Sequence, residues 1–256
     1  MYREEKRTVR GALAQRRPAA VNVLAWLVLL TAVIFSLSFG AFAADKEMAD
    51  PTKPDPSIEG APNEASGEDL YKRGFYPEAL AEWERAVEVN KDPGAAFRLA
   101  EEHFDAKVVE RDIATAIKYF TIGAEGGDMR AQMDLATLFD KGWGVPQDMA
   151  LAAKWYEAAA RQGLASSQYN IATMYEDGVG VEASKVKAYQ YYQLSIEGGF
   201  PRFAVEAIEK LGETMTPAEI KEASKLARDF KPLTREESAA EMTVTAKALE
   251  GVTSTE

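Results

Sequence analysis

The chain of 256 residues has no cysteine and one histidine, His103. Without cysteine there is no disulfide framework, no thiolate nucleophile and no thiolate metal ligand. A single histidine rules out a histidine-rich metal site and leaves little scope for histidine-dependent acid–base chemistry. Positive charge is also in the minority, with 30 Lys and Arg against 41 Asp and Glu and a formal charge of −11. Phosphate backbones are held by clustered Lys and Arg, so this balance argues against a nucleic-acid partner.

One long apolar run is present, at the start. Arg3, Lys6, Arg7, Arg10, Arg16 and Arg17 precede a stretch from Val21 to Phe42, which ends in Ala41-Phe42-Ala43. A basic flank, an apolar centre and a small-x-small site together make an export signal over 1–43. The apolar stretch is long enough to span a bilayer if it is not removed. Two outcomes follow: cleavage after Ala43 with a periplasmic or secreted product, or an inner-membrane anchor with the rest in the periplasm. Residues 44–65 carry Pro51, Pro54, Pro56 and Pro62 and few large apolar groups, and read as a disordered linker.

From there the sequence repeats every 36 residues. Trp83, Tyr119, Trp155 and Tyr191 fall in one column, and Leu80, Ala116, Ala152 and Ala188 fall three positions earlier. Leu99, Leu135 and Ile171 share another column, as do His103, Phe139 and Tyr175, and Gly127, Gly163 and Gly199 close each unit. A fixed period of this length marks a stacked array of two-helix units. Asp112, Asp148 and Ser184 stand where each second helix begins, as N-caps that accept from free first-turn amides. Gly142-Trp143-Gly144-Val145 and Gly178-Val179-Gly180-Val181 fall between helices. A phosphate loop would follow a strand and carry a lysine, so these are turns and no cofactor site is expected.

The pattern A-x-x-x-L-[GA]-x-x-Y, then G-x-G-V, then A-x-x-W-Y-x-x-A-A-x-x-G resembles the Sel1-like repeats, relatives of the tetratricopeptide repeat. The units 128–163 and 164–199 carry it well. The unit 92–127 departs from it, because "DAKVVERD" lacks both turn glycines, and a less regular turn is expected there. Residues 70–90 look more like a tetratricopeptide unit, with Gly74, Tyr76, Ala79, Trp83 and Ala86 in that family's places. The resemblance implies an all-α, right-handed solenoid over 66–230. "TPAE" at 216–219 starts a capping helix, and 231–256 is expected to be a flexible tail.

On the other face of the first helices, Phe97, Met133 and Tyr169 form one column, Glu101, Thr137 and Thr173 a second, and Phe104, Asp140 and Glu176 a third. In tetratricopeptide relatives such positions line a concave groove that binds peptides. The ladder is expected either to hold a partner segment or to pack against the neighbouring repeat. His103, in an aromatic column, reads as a partly buried structural histidine.

Two functions follow. The first is a non-catalytic envelope scaffold that docks a protein, such as a membrane sensor or an assembly component; exported Sel1-like proteins include regulators of exopolysaccharide synthesis and envelope signalling. The second is a peptidoglycan- or β-lactam-binding or hydrolysing protein. The Sel1-like proteins linked to that activity are rich in cysteine, which this chain lacks. There is no Ser-His-Asp set, so no catalytic, metal or cofactor residue is assigned. Export has a direct check. A phosphatase reporter fused after residue 65 is expected to be active, and a product beginning near Ala44 distinguishes cleavage from anchoring; an inactive fusion would contradict export.

Overall fold

The computed structural model describes residues 61–243, so the expected 1–43 signal and most of the 44–65 linker lie outside the described residues. The chain here is helical, without a strand among the described residues. Helices α1 (Glu64–Lys72) and α2 (Tyr76–Asn90) precede three regular pairs. These are α3 (Pro93–Asp105) with α4 (Ile113–Glu125), α5 (Met129–Lys141) with α6 (Met149–Arg161), and α7 (Ala165–Asp177) with α8 (Lys185–Glu197). Then come α9 (Pro201–Glu213), α10 (Pro217–Arg228) and a further helical run, α11, over 235–243. The period is kept to the residue: first helices start at Pro93, Met129, Ala165 and Pro201, and second helices at Ile113, Met149 and Lys185.

Small residues bring the helices together. Ala116, Ala152 and Ala188 are fully buried, and Trp155 and Tyr191 in the same core are nearly so, filling the space that the alanines leave, as Trp83 does beside Ala86 and Ala96 in the α2–α3 cluster. Tyr119, in the same column, is only half-buried. His103 lies parallel to the Tyr119 ring with centroids 6.1 Å apart, a half-buried packing residue. One core runs from α3 to α10, and a smaller cluster around Trp83, Val87 and Leu99 joins α2 to α3.

The caps carry the expected geometry. Asp112, Asp148 and Ser184 each accept from backbone amides of the following turn, and so do Asp92 and Asp128 at the first helices α3 and α5. Thr216 and Glu219 form a reciprocal capping box at α10. After that start, α10 packs across α8.

The turn in the first regular unit corrects the expectation of irregularity. Ala106 takes the left-handed conformation (φ 57°) that Gly142 and Gly178 take one and two repeats later. The bond that closes the turn is the same in all three units: the Asp112 amide donates to the His103 carbonyl at 3.0 Å, Asp148 to Phe139 at 3.0 Å and Ser184 to Tyr175 at 2.8 Å. The hydrogen-bonded frame imposes the conformation, and alanine tolerates it at a cost. The second turn glycine has a different role. A Cβ at Gly180 would collide with the Met149 carbonyl, so the turn lies directly on the start of the preceding second helix.

The segment expected to be a tail is another correction, over 231–243. The Leu233 amide donates to the Arg161 carbonyl at 2.9 Å, and Thr234 and Glu237 form a capping pair that starts α11. Ser238 is buried and accepts from Gln132 Nε2 (3.0 Å) and Gln162 Nε2 (3.1 Å), while Gln162 also donates to Gln132 Oε1 at 2.8 Å. Buried amides need partners, and this segment supplies one of them. An Arg161–Glu241 ion pair (2.6 Å) adds to the attachment. Residues 244–256 lie outside the described residues.

These turns generate a paired prediction. A left-handed alanine costs about 1–2 kcal/mol relative to a relaxed backbone, a strain that glycine does not share. Ala106→Gly is therefore expected to raise the melting temperature. Gly180→Ala, strained in φ and blocked by backbone, is expected to lower it. Equal shifts of one sign in the two variants would contradict the shared frame.

Candidate functional site

The groove columns meet different fates because of what lies 33 positions on, at the start of the next first helix. Phe97 is only 5% exposed and belongs to the core, with its ring 6.2 Å from Phe120 and the Arg130 guanidinium 4.3 Å above it. It is therefore not a groove residue, since Arg130 closes it from solvent. Met133 is half-buried and accepts from Ser166 Oγ at 3.1 Å. Tyr169 is half-buried among Tyr192, Phe200 and Phe203, with ring centroids 5.7–6.1 Å apart. The next rung of the same column, Val205 on α9, is exposed, and so is Phe203 beside it.

The second and third columns stay more open. Glu101, Thr137 and Thr173 are half-buried, as are Phe104 and Asp140, and Glu176 is exposed. Beneath them the second helices contribute a column that went unremarked in the sequence: Phe120, Tyr156 and Tyr192, also 36 apart and all buried. Its hydroxyls tie the two helix layers together. Tyr156 OH and Thr137 Oγ1 are 3.0 Å apart, and Tyr192 OH donates to Glu176 at 2.7 Å. Burial, followed by the Glu176 carboxylate, pushes the Tyr192 hydroxyl well above the usual phenol range. The repeated spacing of these tyrosines was a signal that could have found them.

Between α3 and α5 the face opens into a cavity of about 210 Å³. Phe104, Phe120 and Trp143 supply its rings, and Glu101, Asp105 and Asp134 its carboxylates. Glu101 is paired with Arg98 at 3.1 Å and Asp105 with Lys107 at 2.9 Å. Asp134, half-buried, has neither a hydrogen bond nor a direct ion pair among the described residues. Burial first, then the Glu101, Asp105 and Asp128 charges, raise its carboxyl to about 7, against a smaller opposing pull from Arg130. Trp143, 54% exposed, stands in the turn at the cavity's rim. A tryptophan left in solvent at a turn position was the sequence clue to this place. No group of three His, Asp or Glu among the described residues is placed to hold a metal ion.

The Sel1 repeat profile matches three successive segments of the chain, 93–128, 130–164 and 165–200. A Sel1 repeat protein from Oxalobacter formigenes is 30% identical, over 51% of this chain and 97% of that one, with a TM-score of 0.48. The chain belongs to the Sel1 repeat family. The matched segments start within one residue of the helix pairs that begin at Pro93, Met129 and Ala165. Sel1 repeats are helical scaffolds that generally mediate protein–protein interaction, and the family is generally non-catalytic. A protective antigen of uropathogenic Escherichia coli with an SLR fold is 20% identical, with a TM-score of 0.42. It covers 73% of this chain, which spans about half (49%) of that one. No curated protein matches the Sel1 chain.

The raised carboxyl makes stability depend on pH. The folded protein holds a proton on Asp134 that the unfolded chain releases above its ordinary pKa of 3.8. This residue's contribution to stability is complete below that value and lost as pH rises through about 7. Asp134→Asn mimics the protonated acid at every pH. Its gain in melting temperature over wild type is expected to grow from about pH 4 to about pH 7 and then level off. A gain independent of pH would place the Asp134 carboxyl in the ordinary range.

Proposed function

We propose that this Sel1 repeat protein is an exported, non-catalytic scaffold of the bacterial cell envelope that binds a partner protein along the open face of α3, α5, α7 and α9. The observation that carries the reading is the composition of that face. Half-buried polar and acidic side chains at Glu101, Thr137, Thr173 and Asp140 run beside open apolar groups at Trp143, Phe203 and Val205. Exposed aromatic anchors with a polar rim are the arrangement that interfaces use, since buried rings supply the energy and the rim the register. The groove assignment is kept for Glu101, Met133, Thr137, Tyr169, Thr173 and Glu176. Export and a periplasmic location rest on the basic flank and apolar run at 1–43.

Partner capture from envelope extract tests the reading when wild type is compared with two variants that spare the core. Phe203→Ser removes a half-exposed anchor, and Thr173→Arg fills the middle of the face with bulk and a positive charge. Loss of an anchor costs about 2 kcal/mol or more, roughly thirty-fold in affinity. Both variants are expected to lose the captured partner while keeping their melting temperature. Full capture by both would place the partner elsewhere on the molecule.

A further inference from the structure

We infer that the cavity between α3 and α5 is a receptor for a single cationic side chain, a lysine projecting from the partner segment. This deepens, and rests on, the reading of the open face as a protein-binding surface. Size is the first argument. At about 210 Å³ the cavity falls below the range of about 300–1,000 Å³ typical of small-molecule sites and matches one long side chain. The composition of its walls is the second. Phe104, Phe120 and Trp143 present rings, and a cation is drawn to aromatic faces, tryptophan most of all. The Arg111 guanidinium already lies 5.2 Å from the Phe104 ring centroid, although it does not line the cavity.

Charge complementarity decides between an apolar occupant and a cationic one. Three carboxylates line the cavity; Glu101 and Asp105 each have an ion-pair partner, Arg98 (shared with Glu64 and Glu68) and Lys107, and Asp134 has none among the described residues. Asp134 is left with the cost of burial and three acidic neighbours, Glu101 and Asp105 on α3 and Asp128 at the head of α5. Arg130 on α5 only partly offsets them, and Tyr156 on α6 adds a buried phenol with no positive charge. An entering ammonium replaces the proton that Asp134 otherwise keeps, so lysine binding and ionisation of Asp134 are linked. The lysine stem has apolar contacts available along Leu138 and Phe120.

The test uses the full chain in mild detergent, with fluorescein-labelled acetyl-tetralysine amide as probe and fluorescence anisotropy as readout. A second probe carries four Nε-acetyl-lysines, which keep the stem and lose the charge. Tetralysine is expected to bind at least ten-fold more tightly than the acetylated probe, and more tightly at pH 8 than at pH 5. Asp134→Asn and Trp143→Ala are each expected to weaken tetralysine at least five-fold. Glu236→Gln, which removes an exposed charge far along the chain, is expected to leave it unchanged. Equal binding of the two probes overturns the inference. So does equal weakening by all three variants, which would mark diffuse attraction to an acidic surface. Melting temperatures separate loss of the cavity from loss of the fold. Should Trp143→Ala unfold, binding by Asp134→Asn decides alone: five-fold weakening supports the receptor and wild-type affinity overturns it. If Phe203→Ser and Thr173→Arg abolish partner capture but Asp134→Asn does not, the binding face stands and only the lysine receptor fails.

Discussion

Close approach of helices at fully buried alanines is the constraint on which the rest of this structure depends. Ala116, Ala152 and Ala188 in the second helices and Ala96, Ala100, Ala136 and Ala172 in the first are all completely buried. Backbones can come together there because no side chain holds them apart, and the rings of Trp83, Trp155 and Tyr191 wedge the gap that opens one turn away. Such a seam admits little variation in spacing, which is why helix starts recur every 36 residues without drift. It also accounts for Ala106. Once the seams fix both helices, the connecting turn has one geometry available, and the chain adopts it even where glycine is missing.

The same spacing decides which face is left for function. The second residue of each first helix stands 33 positions after the outward residue of the one before it, so Arg130 covers Phe97 and Ser166 reaches Met133. What remains open is the adjacent row, richer in carboxylates and threonine. Crowding of those carboxylates between α3 and α5 is eased by Arg98, which Glu101 shares with Glu64 and Glu68, and by Lys107 at Asp105, while burial and the remaining negative charge push the Asp134 carboxyl up to about 7. A face that holds an extra proton is one where an added positive charge displaces it at little electrostatic cost. The molecule's chemical individuality therefore sits between its first two regular pairs, where the repeat pattern is least faithful.

The chain's return over 231–243 is a further departure from a simple stack. The repeat buries glutamine at Gln132 and Gln168, which donate to the Ala124 and Ala160 carbonyls, but only Gln132 is also joined to a second buried glutamine, Gln162, and to Ser238. In the next repeat Gln168 occupies the Gln132 position, and its Oε1 has no partner, because Gly198 stands where Gln162 donates to Gln132. The returning segment thus serves one repeat junction specifically. Asp128, buried at the head of α5, accepts from Arg130 and Arg235 at the same junction.

The period, the two-helix unit, the caps at Asp112, Asp148 and Ser184, and the alanine and tryptophan columns were determined by the sequence alone. Each depends on hydrogen bonds and packing within one unit or between equivalent positions, so a shift of 36 residues displays it. The capping pair Thr234 and Glu237 has the same form as Thr216 and Glu219, yet 231–256 read as a tail, because nothing local said what the helix behind that cap would touch. Burial of Phe97, the cavity around Asp134 and the docking of 231–243 were decided only by the tertiary structure. They rest on contacts between side chains with no common local pattern, from Arg130 over Phe97 to Arg235 on Asp128 across 107 positions. The fate of a side chain at a repeat's surface is set by whatever the neighbouring turn of the solenoid places against it.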